Sequence, residues 1–244
     1  MTTIRIMTYF VRKCRGGDGQ VDLDRIADVI AEGAPDIVAL QDVGDEAASD
    51  QIVTLSRRLG MKSYAAPGCG GNAFLSYYPL KGVLAYDLGK GGSCLRADAD
   101  IDGKRLHLLN LRLKTGKLER QQQISSLLGP DLLGDRALTC PTLILGDFAD
   151  YYWGAGNMAL NMNLSKGVRS LWRGTFPACC PVVDRDRAYT RGHLRIVDST
   201  ILWSKLARRA STHLPLIVTA QITDPRTFLR TEKLKRSRME VAPG

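Results

Sequence analysis

The spacing of hydrophobic and polar residues predicts a chain that alternates between strands and helices. Residues 3–9 alternate between apolar and polar side chains, which indicates a strand with one face in a core. Residues 22–36 place apolar side chains at helical spacing and end in glycine and proline, which are helix stop signals. Residues 36–43 form a short apolar run that predicts a buried strand. The chain therefore opens with a strand, a helix and a second strand.

The pattern continues with further helices and several hairpins. Residues 71–88 predict two strands around a turn at Pro79, and residues 93–113 predict a hairpin whose turn is Asp102–Gly103. The remaining predicted elements are helices at 46–59, at 117–128 and after Tyr151, and strands at 142–146, 194–204 and 213–222. This mixture predicts an α+β fold in which two packed mixed sheets are flanked by helices.

The distribution of charged residues predicts one large domain followed by a basic tail. The 244 residues include 34 Lys and Arg against 25 Asp and Glu, for a net charge of +9. Basic residues crowd the last segment, so we predict a domain at 1–224 and a tail at 225–244. Such a tail is typical of contact with a polyanion or an anionic membrane surface, and equally of a solvated terminus.

Other compositional features narrow the classes of function. No apolar run is long enough for a transmembrane segment, and the amino terminus enters a strand pattern directly, so we expect a cytoplasmic protein. The cysteines are scattered and show no metal-ligand spacing, so we expect reduced thiols and no zinc site built from them.

Segments along most of the chain resemble the endonuclease/exonuclease/phosphatase superfamily, also called DNase I-like. In order, these are IRIMTYF, DIVALQDV, GNAFLSYYPL, RLHLLNLRL, LILGDFAD, RIVDSTILW and STHLPLIV, between residues 3 and 222. The resemblance implies a four-layer α/β/β/α sandwich. In active members it also implies hydrolysis of phosphoesters with Mg²⁺ or Mn²⁺.

The resemblance assigns roles to several residues. Asp147 matches the aspartate implied to activate the attacking water, and His213 matches the histidine implied to stabilise the transition state. Asp198 matches a further aspartate with a weaker role, and Asp42 takes the place of the metal-binding glutamate. Asn110 and Arg112 are expected to contact phosphate, and Arg112 stands where the family has histidine. The alternative for Arg112 is that it pairs with a nearby carboxylate such as Asp42 or Asp147.

Some positions depart from the family pattern. Phe10 replaces an asparagine of the metal site and has no ligand atom, Asp42 is one methylene shorter than glutamate, and Arg112 replaces an imidazole with a guanidinium. Ala149 replaces the asparagine of Gly-Asp-x-Asn. Thr212 replaces the aspartate of Ser-Asp-His, so the resemblance implies loss of the carboxylate that orients and charges the histidine. Losses within one catalytic unit are not additive, but two or three of them would bring activity close to background, so these changes disfavour an ordinary Mg²⁺ hydrolase.

Three functions remain open from the sequence. The first is a degenerate member that binds a phosphorylated ligand, nucleic acid or a protein partner without a metal. The second is an active phosphodiesterase, nuclease or phosphatase with a remodelled site, in which Asp42, Asp147 and Asp198 hold one Mg²⁺ or Mn²⁺. The third is a scaffold or membrane-surface protein that acts through the basic tail.

Overall fold

The computed structural model describes residues 2–44, 48–136, 138–149, 155–166 and 174–224. Over these residues the chain forms twelve strands and five helices. The strands are β1 (Thr2–Phe10), β2 (Ile37–Gln41), β3 (Lys62–Tyr64), β4 (Ala73–Ser76), β5 (Leu80–Gly89), β6 (Gly92–Ile101), β7 (Lys104–Arg112), β8 (Thr142–Asp147), β9 (Ser165–Lys166), β10 (Asp186–Arg191), β11 (Leu194–Ile201) and β12 (Leu216–Ile222). The helices are α1 (Leu23–Gly33), α2 (Ala48–Leu59), α3 (Lys117–Leu128), α4 (Ala155–Asn163) and α5 (Lys205–Ala210). The predicted tail at 225–244 lies outside the described residues.

The strands form two mixed six-stranded sheets. The first has the order β11-β12-β1-β2-β4-β3, and the second has the order β5-β6-β7-β8-β10-β9. In each sheet one central pair is parallel, β1 with β2 and β7 with β8, and the other neighbours are antiparallel. The predicted α+β class with two mixed sheets is therefore confirmed.

Three hydrophobic clusters hold the layers together. Residues of both sheets, including Ile6, Leu108 and Val218, pack face to face in a central cluster. A second cluster joins the first sheet to α1, α2 and α5, and a third joins the second sheet to α3 and α4. The result is the predicted four-layer α/β/β/α sandwich. No helix in the described ranges is both long and apolar enough to cross a membrane.

Local sequence explains where several elements begin and end. Asp22 caps α1 because its side chain accepts a hydrogen bond from the Arg25 amide at 2.9 Å. Ala34 ends the same helix in a left-handed conformation, directly before Pro35. Between β6 and β7, Asp102 and Gly103 both have positive φ, as the Asp-Gly hairpin turn requires.

The strands place one set of loops at a single end of the sandwich. The register shows that β1, β2, β7 and β8 finish at this end, whereas β4, β6, β10 and β12 begin there. We call it the strand-end edge. Residues that lie far apart in sequence meet here, because each of these strands delivers one or two side chains to it.

Candidate active site

Two aspartates lie side by side at the strand-end edge. Asp147 is the last residue of β8 and Asp186 is the first residue of β10, and the two are direct cross-strand partners. Both are buried, with 1 % and 0 % of their surface exposed. His213, in the loop before β12, is also buried, and its Nδ1 lies 2.8 Å from Asp186 Oδ2. The ligand atoms of these three side chains all lie within 4.8 Å of one another.

The backbone conformation around Asp147 depends on the residues beside it. Gly146 has a φ of 142°, and a Cβ at that position would collide with the main chain of Leu111 on the neighbouring strand. After the strand, Asp147 Oδ1 accepts a hydrogen bond from the Ala149 amide at 2.8 Å. Ala149 itself has a φ of 50°. This turn points the Asp147 carboxylate back into the site.

A short loop holds His213 against its partner. Ser211 donates its hydroxyl to the Phe10 carbonyl at 2.6 Å, which ties the loop to the end of β1. The Thr175 hydroxyl accepts a hydrogen bond from the Asp186 amide at 3.0 Å, and the Thr175 carbonyl accepts one from the Leu214 amide at 2.8 Å. The imidazole therefore has a fixed carboxylate partner. The predicted loss of that partner through Thr212 was wrong, because Asp186 supplies it from a different strand.

Two aromatic rings contact the imidazole. The Phe10 ring stacks on His213 at 4.5 Å with an interplanar angle of 28°, and the Phe176 ring lies 4.9 Å away at 52°. A guanidinium follows at each end, since Arg112 lies 5.7 Å from the Phe10 ring and Arg185 lies 5.0 Å from the Phe176 ring. The five side chains form a continuous row with a positive charge at either end.

Each guanidinium also binds a carboxylate. Arg185 contacts Asp147 with two hydrogen bonds, from Nε to Oδ1 at 3.2 Å and from Nη2 to Oδ2 at 2.8 Å. Arg112 contacts Asp42 through Nη1 at 3.0 Å and donates to the Gly70 carbonyl at 3.1 Å. The pairing of Arg112 with Asp42, one of the two alternatives for this arginine, is therefore present.

The two buried aspartates differ in their tendency to ionise. Burial and the charge of Asp186 raise the pKa of Asp147, although Arg185 and His213 act in the opposite direction. Burial also opposes ionisation of Asp186, but His213 and the Thr175 hydroxyl outweigh it and hold its pKa below the ordinary value. Neighbouring carboxylates with pKa values pushed apart are typical of functional sites.

Asn110 lies beneath the site and belongs to a polar bridge between the sheets. Its Nδ2 donates to the Leu40 carbonyl at 2.8 Å and to the Ala73 carbonyl at 3.0 Å. Its Oδ1 accepts from Gln41 Nε2 at 2.7 Å, and Gln41 also reaches Thr8 at 3.0 Å. Because every polar atom of the Asn110 side chain is used inside the core, its predicted contact with phosphate is replaced by a structural role.

Asp198 does not join the site. It lies on β11 opposite Thr219, it is exposed, and its carboxylate accepts a hydrogen bond from Thr200 at 3.3 Å. The carboxylate next to His213 is that of Asp186. Sequence reasoning also missed Arg185 and Phe176, which precede β10 in a region where no strand was predicted.

Comparison with known proteins agrees with this geometry. A sequence profile of the Endonuclease/Exonuclease/phosphatase family matches residues 12–219. The chain belongs to this family. A search of curated protein sequences gave no significant match.

Solved structures share the fold at low sequence identity. An endonuclease/exonuclease/phosphatase family protein from Bacteroides thetaiotaomicron has a TM-score of 0.75 at 16 % identity, with 94 % of this chain and 98 % of that one covered. The mannosyl-6-phosphatase Bt3783 from Bacteroides thetaiotaomicron has a TM-score of 0.74 at 16 % identity, with coverage of 89 % and 99 %. TDP2 from D. rerio, in complex with a single-strand DNA product, has a TM-score of 0.71 at 16 % identity, with coverage of 91 % and 100 %.

Members of the family generally depend on a divalent metal, and the Asp147, Asp186 and His213 cluster contains suitable donor types. The arrangement around these donors does not fit a resident metal. Both Asp147 oxygens are bound by Arg185, and the Asp42 carboxylate is bound by Arg112. Phe10, the last residue of β1, offers no donor atom.

Proposed function

We propose that this chain is a family member that binds a phosphate-containing ligand at the strand-end edge, with weak or no metal-dependent hydrolysis. One observation carries the proposal. The two carboxylates that would hold or face a metal, Asp42 and Asp147, are each bound by an arginine at about 3 Å or less. A cation that entered the site would have to displace a tethered guanidinium, and Phe10 would offer it no ligand.

The same arginines support binding of an anion. The hydrogen bonds of Arg112 to described residues all come from Nη1, and its side chain is 24 % exposed. Arg185 uses Nε and Nη2 on Asp147, and its side chain is 18 % exposed. A guanidinium has five N–H donors, so both retain donors for a phosphate oxygen. Arg12 and Lys114, both exposed, add positive charge at this edge.

The names of the structural neighbours are consistent with a phosphate-containing ligand. One is called a mannosyl-6-phosphatase and another is complexed with single-strand DNA, so a phosphate ester is common to both. A small phosphoester and a nucleic acid therefore both belong among the probes.

Isothermal titration calorimetry of the full chain tests this function, with pyrophosphate and a short single-stranded oligonucleotide as probes and MnCl₂ as the metal. We expect saturable binding of at least one phosphate probe that persists in excess EDTA. Arg112→Ala should weaken it about tenfold or more, because a charged hydrogen bond contributes about 1.5–3 kcal/mol. Arg105→Ala is the matched control, since Arg105 is an exposed arginine near the opposite end of the same strand.

Three results would overturn the proposal. The first is micromolar binding of Mn²⁺ by the wild-type protein, and the second is Mn²⁺-dependent cleavage of bis-p-nitrophenyl phosphate. Absence of binding by both phosphate probes would equally contradict it.

A remodelled hydrolase is the second candidate, and one observation favours it. The Asp186–His213 pair is intact at 2.8 Å, and Asp147 lies directly beside it, so a proton acceptor and an oriented imidazole both remain. If the wild-type protein shows turnover, Asp147→Asn and His213→Ala should each abolish it while Arg105→Ala retains it. Activity that is unchanged in both variants would come from a contaminant and would exclude this candidate.

A further inference from the structure

Arg185 occupies an unusual electrostatic position. Asp147 and Asp186 are adjacent buried carboxylates; Arg185 forms an ion pair with Asp147 at 2.8 Å, and the His213 imidazole lies 2.8 Å from Asp186. His213 serves Asp186, so the charge of Asp147 is balanced chiefly by the two hydrogen bonds of Arg185. Burial of one carboxylate beside another is costly, and pairing with a cation such as Arg185 offsets part of that cost.

We propose that the Arg185 guanidinium takes the place of the divalent cation in this chain. The inference rests on the proposed function and extends it, because it names the residue that closes the site to metal. The guanidinium then presents a permanent positive charge to a bound phosphate. No metal has to be recruited, and chelators do not remove the charge.

The donors behind Arg185 retain a spacing that a metal can use. A metal bonded to nitrogen and oxygen at about 2.0–2.2 Å holds any two of its ligands no more than about 4.4 Å apart. The donor atoms of Asp147, Asp186 and His213 already lie within 4.8 Å of one another. Adjustments of a few tenths of an ångström would therefore bring them around one ion once the guanidinium is gone.

Arg112, unlike Arg185, does not cover a cluster of potential metal ligands. It binds Asp42, but Asp42 belongs to no cluster of three potential ligands among the described residues. Phe10, at the end of β1, lies 5.7 Å from the Arg112 guanidinium, and its ring cannot coordinate a metal. Removing Arg112 would therefore expose a single carboxylate, and this makes Arg112 the matched control for Arg185.

The experiment measures Zn²⁺ and Mn²⁺ binding by calorimetry in the full chain and in its variants. Arg185→Ala should bind Zn²⁺ at least about tenfold more tightly than the wild type, with Mn²⁺ weaker, in the usual order of affinities. Added Zn²⁺ should also raise the Tm of this variant. Arg185→Lys keeps a positive charge beside Asp147 and should show no gain, and Arg112→Ala should show none either.

Two further variants keep the test decisive. Arg185→Gln removes the charge but retains an amide donor for Asp147, so it serves if Arg185→Ala does not fold. Asp147→Asn combined with the Arg185 substitution should abolish the gained affinity, which shows that Zn²⁺ is bound in this cluster. Equal Zn²⁺ affinity in the wild type, Arg185→Ala and Arg185→Gln would overturn the inference.

The outcomes separate this inference from the proposed function. A wild-type protein that binds pyrophosphate without metal, together with Arg185 variants that gain no metal affinity, refutes the role of Arg185 alone. A wild-type protein that binds Mn²⁺ tightly refutes the proposed function. Arg185 variants that gain metal affinity support the replacement of the cation, whichever phosphate probe the wild type prefers.

Discussion

Asn110 offers the clearest test of where the site ends and the structural core begins. The side chain is fully buried and makes three hydrogen bonds, two of them to the carbonyls of Leu40 and Ala73 in the opposite sheet. In Asn110→Ala, both carbonyls lose this donor and a small cavity forms. At about 1–3 kcal/mol for each buried group left unsatisfied, and with some relaxation, we expect a loss of about 2–5 kcal/mol in the free energy of unfolding. For a chain of this size that corresponds to a fall in Tm of about 5–15 °C.

Urea denaturation followed by circular dichroism measures this change. Asn163→Ala is the control, because Asn163 lies exposed on α4 and its Nδ2 donates to the Ala159 carbonyl of the same helix at 2.8 Å, so its replacement should alter stability by no more than about 0.5 kcal/mol. A double-mutant cycle with Gln41→Ala should show a coupling of about 1 kcal/mol, since the two amides bond at 2.7 Å. The reasoning is refuted if Asn110→Ala costs less than about 1 kcal/mol and instead abolishes pyrophosphate binding.

Three other perturbations probe the pH dependence, the aromatic cover and the backbone of the site. Because the pKa of Asp186 is lowered in the folded protein, its stabilisation is present above the unfolded pKa of about 3.9 and is lost as the pH falls through the folded value. Asp186→Asn should therefore be less stable than the wild type, by up to about 3–5 kcal/mol near neutral pH and by less in acid. Urea denaturation measures this difference in the free energy of unfolding, and a difference that stays constant from neutral pH to about pH 3 would contradict the prediction. Phe10→Ala should speed the modification of His213 by diethyl pyrocarbonate, which mass spectrometry measures. The rate at buried His107 should not change, and exposed His193 is the fast reference. Equal His213 rates in both proteins would show that Phe10 does not cover the ring. Gly146→Ala forces a Cβ into the Leu111 main chain and should lower the free energy of unfolding by more than about 3 kcal/mol. Gly17→Ala is the control, because its Cβ meets open space and the change should be nearly neutral. Similar Tm values for the two variants in thermal unfolding would refute the packing argument.

Most of the fold could be predicted because its signals are local. The helix predicted at 117–128 is α3, and the hairpin predicted at 93–113 contains β6 and β7 around the Asp102–Gly103 turn. Such elements follow from side-chain spacing and from residues that permit positive φ. Each of them can be recognised within a window of about a dozen residues, without knowledge of what packs against it.

The strand β10 could not be predicted in the same way. Its sequence, DRAYTR, begins with two charged residues, yet Asp186 and Arg187 are both fully buried. Burial of consecutive charged side chains breaks the alternation of apolar and polar residues that normally marks a strand. Local rules fail at functional sites for this reason, and here the failure hid both Asp186 and the adjacent Arg185.

The structure brings together part of the candidate site that the sequence indicates. Asp147 and His213 were named through the resemblance, and their side chains lie in one cluster. The family's partner of the histidine precedes it in the chain, at the position of Thr212. The actual partner, Asp186, is 27 residues away and reaches His213 only because β10 and the loop before β12 meet at the same edge. Contacts of this kind depend on tertiary structure and leave no spacing in the sequence.

The altered positions divide into two groups once the structure is considered. Thr212 removes a carboxylate that Asp186 replaces, so the half of the site that positions the imidazole is intact. Phe10, Asp42 and Arg112 alter the half that would hold a metal, and no described residue restores it. A buried Asp–Asp–His–Arg cluster is costly to desolvate, and apolar side chains of similar volume would often be at least as stable there. Packing alone is therefore a poor explanation for a site that keeps two aspartates, a histidine and an arginine in contact with one another. The proposed binding of an anion at the two guanidinium groups would account for this cluster, because it needs positive charge at the site and does not need a metal.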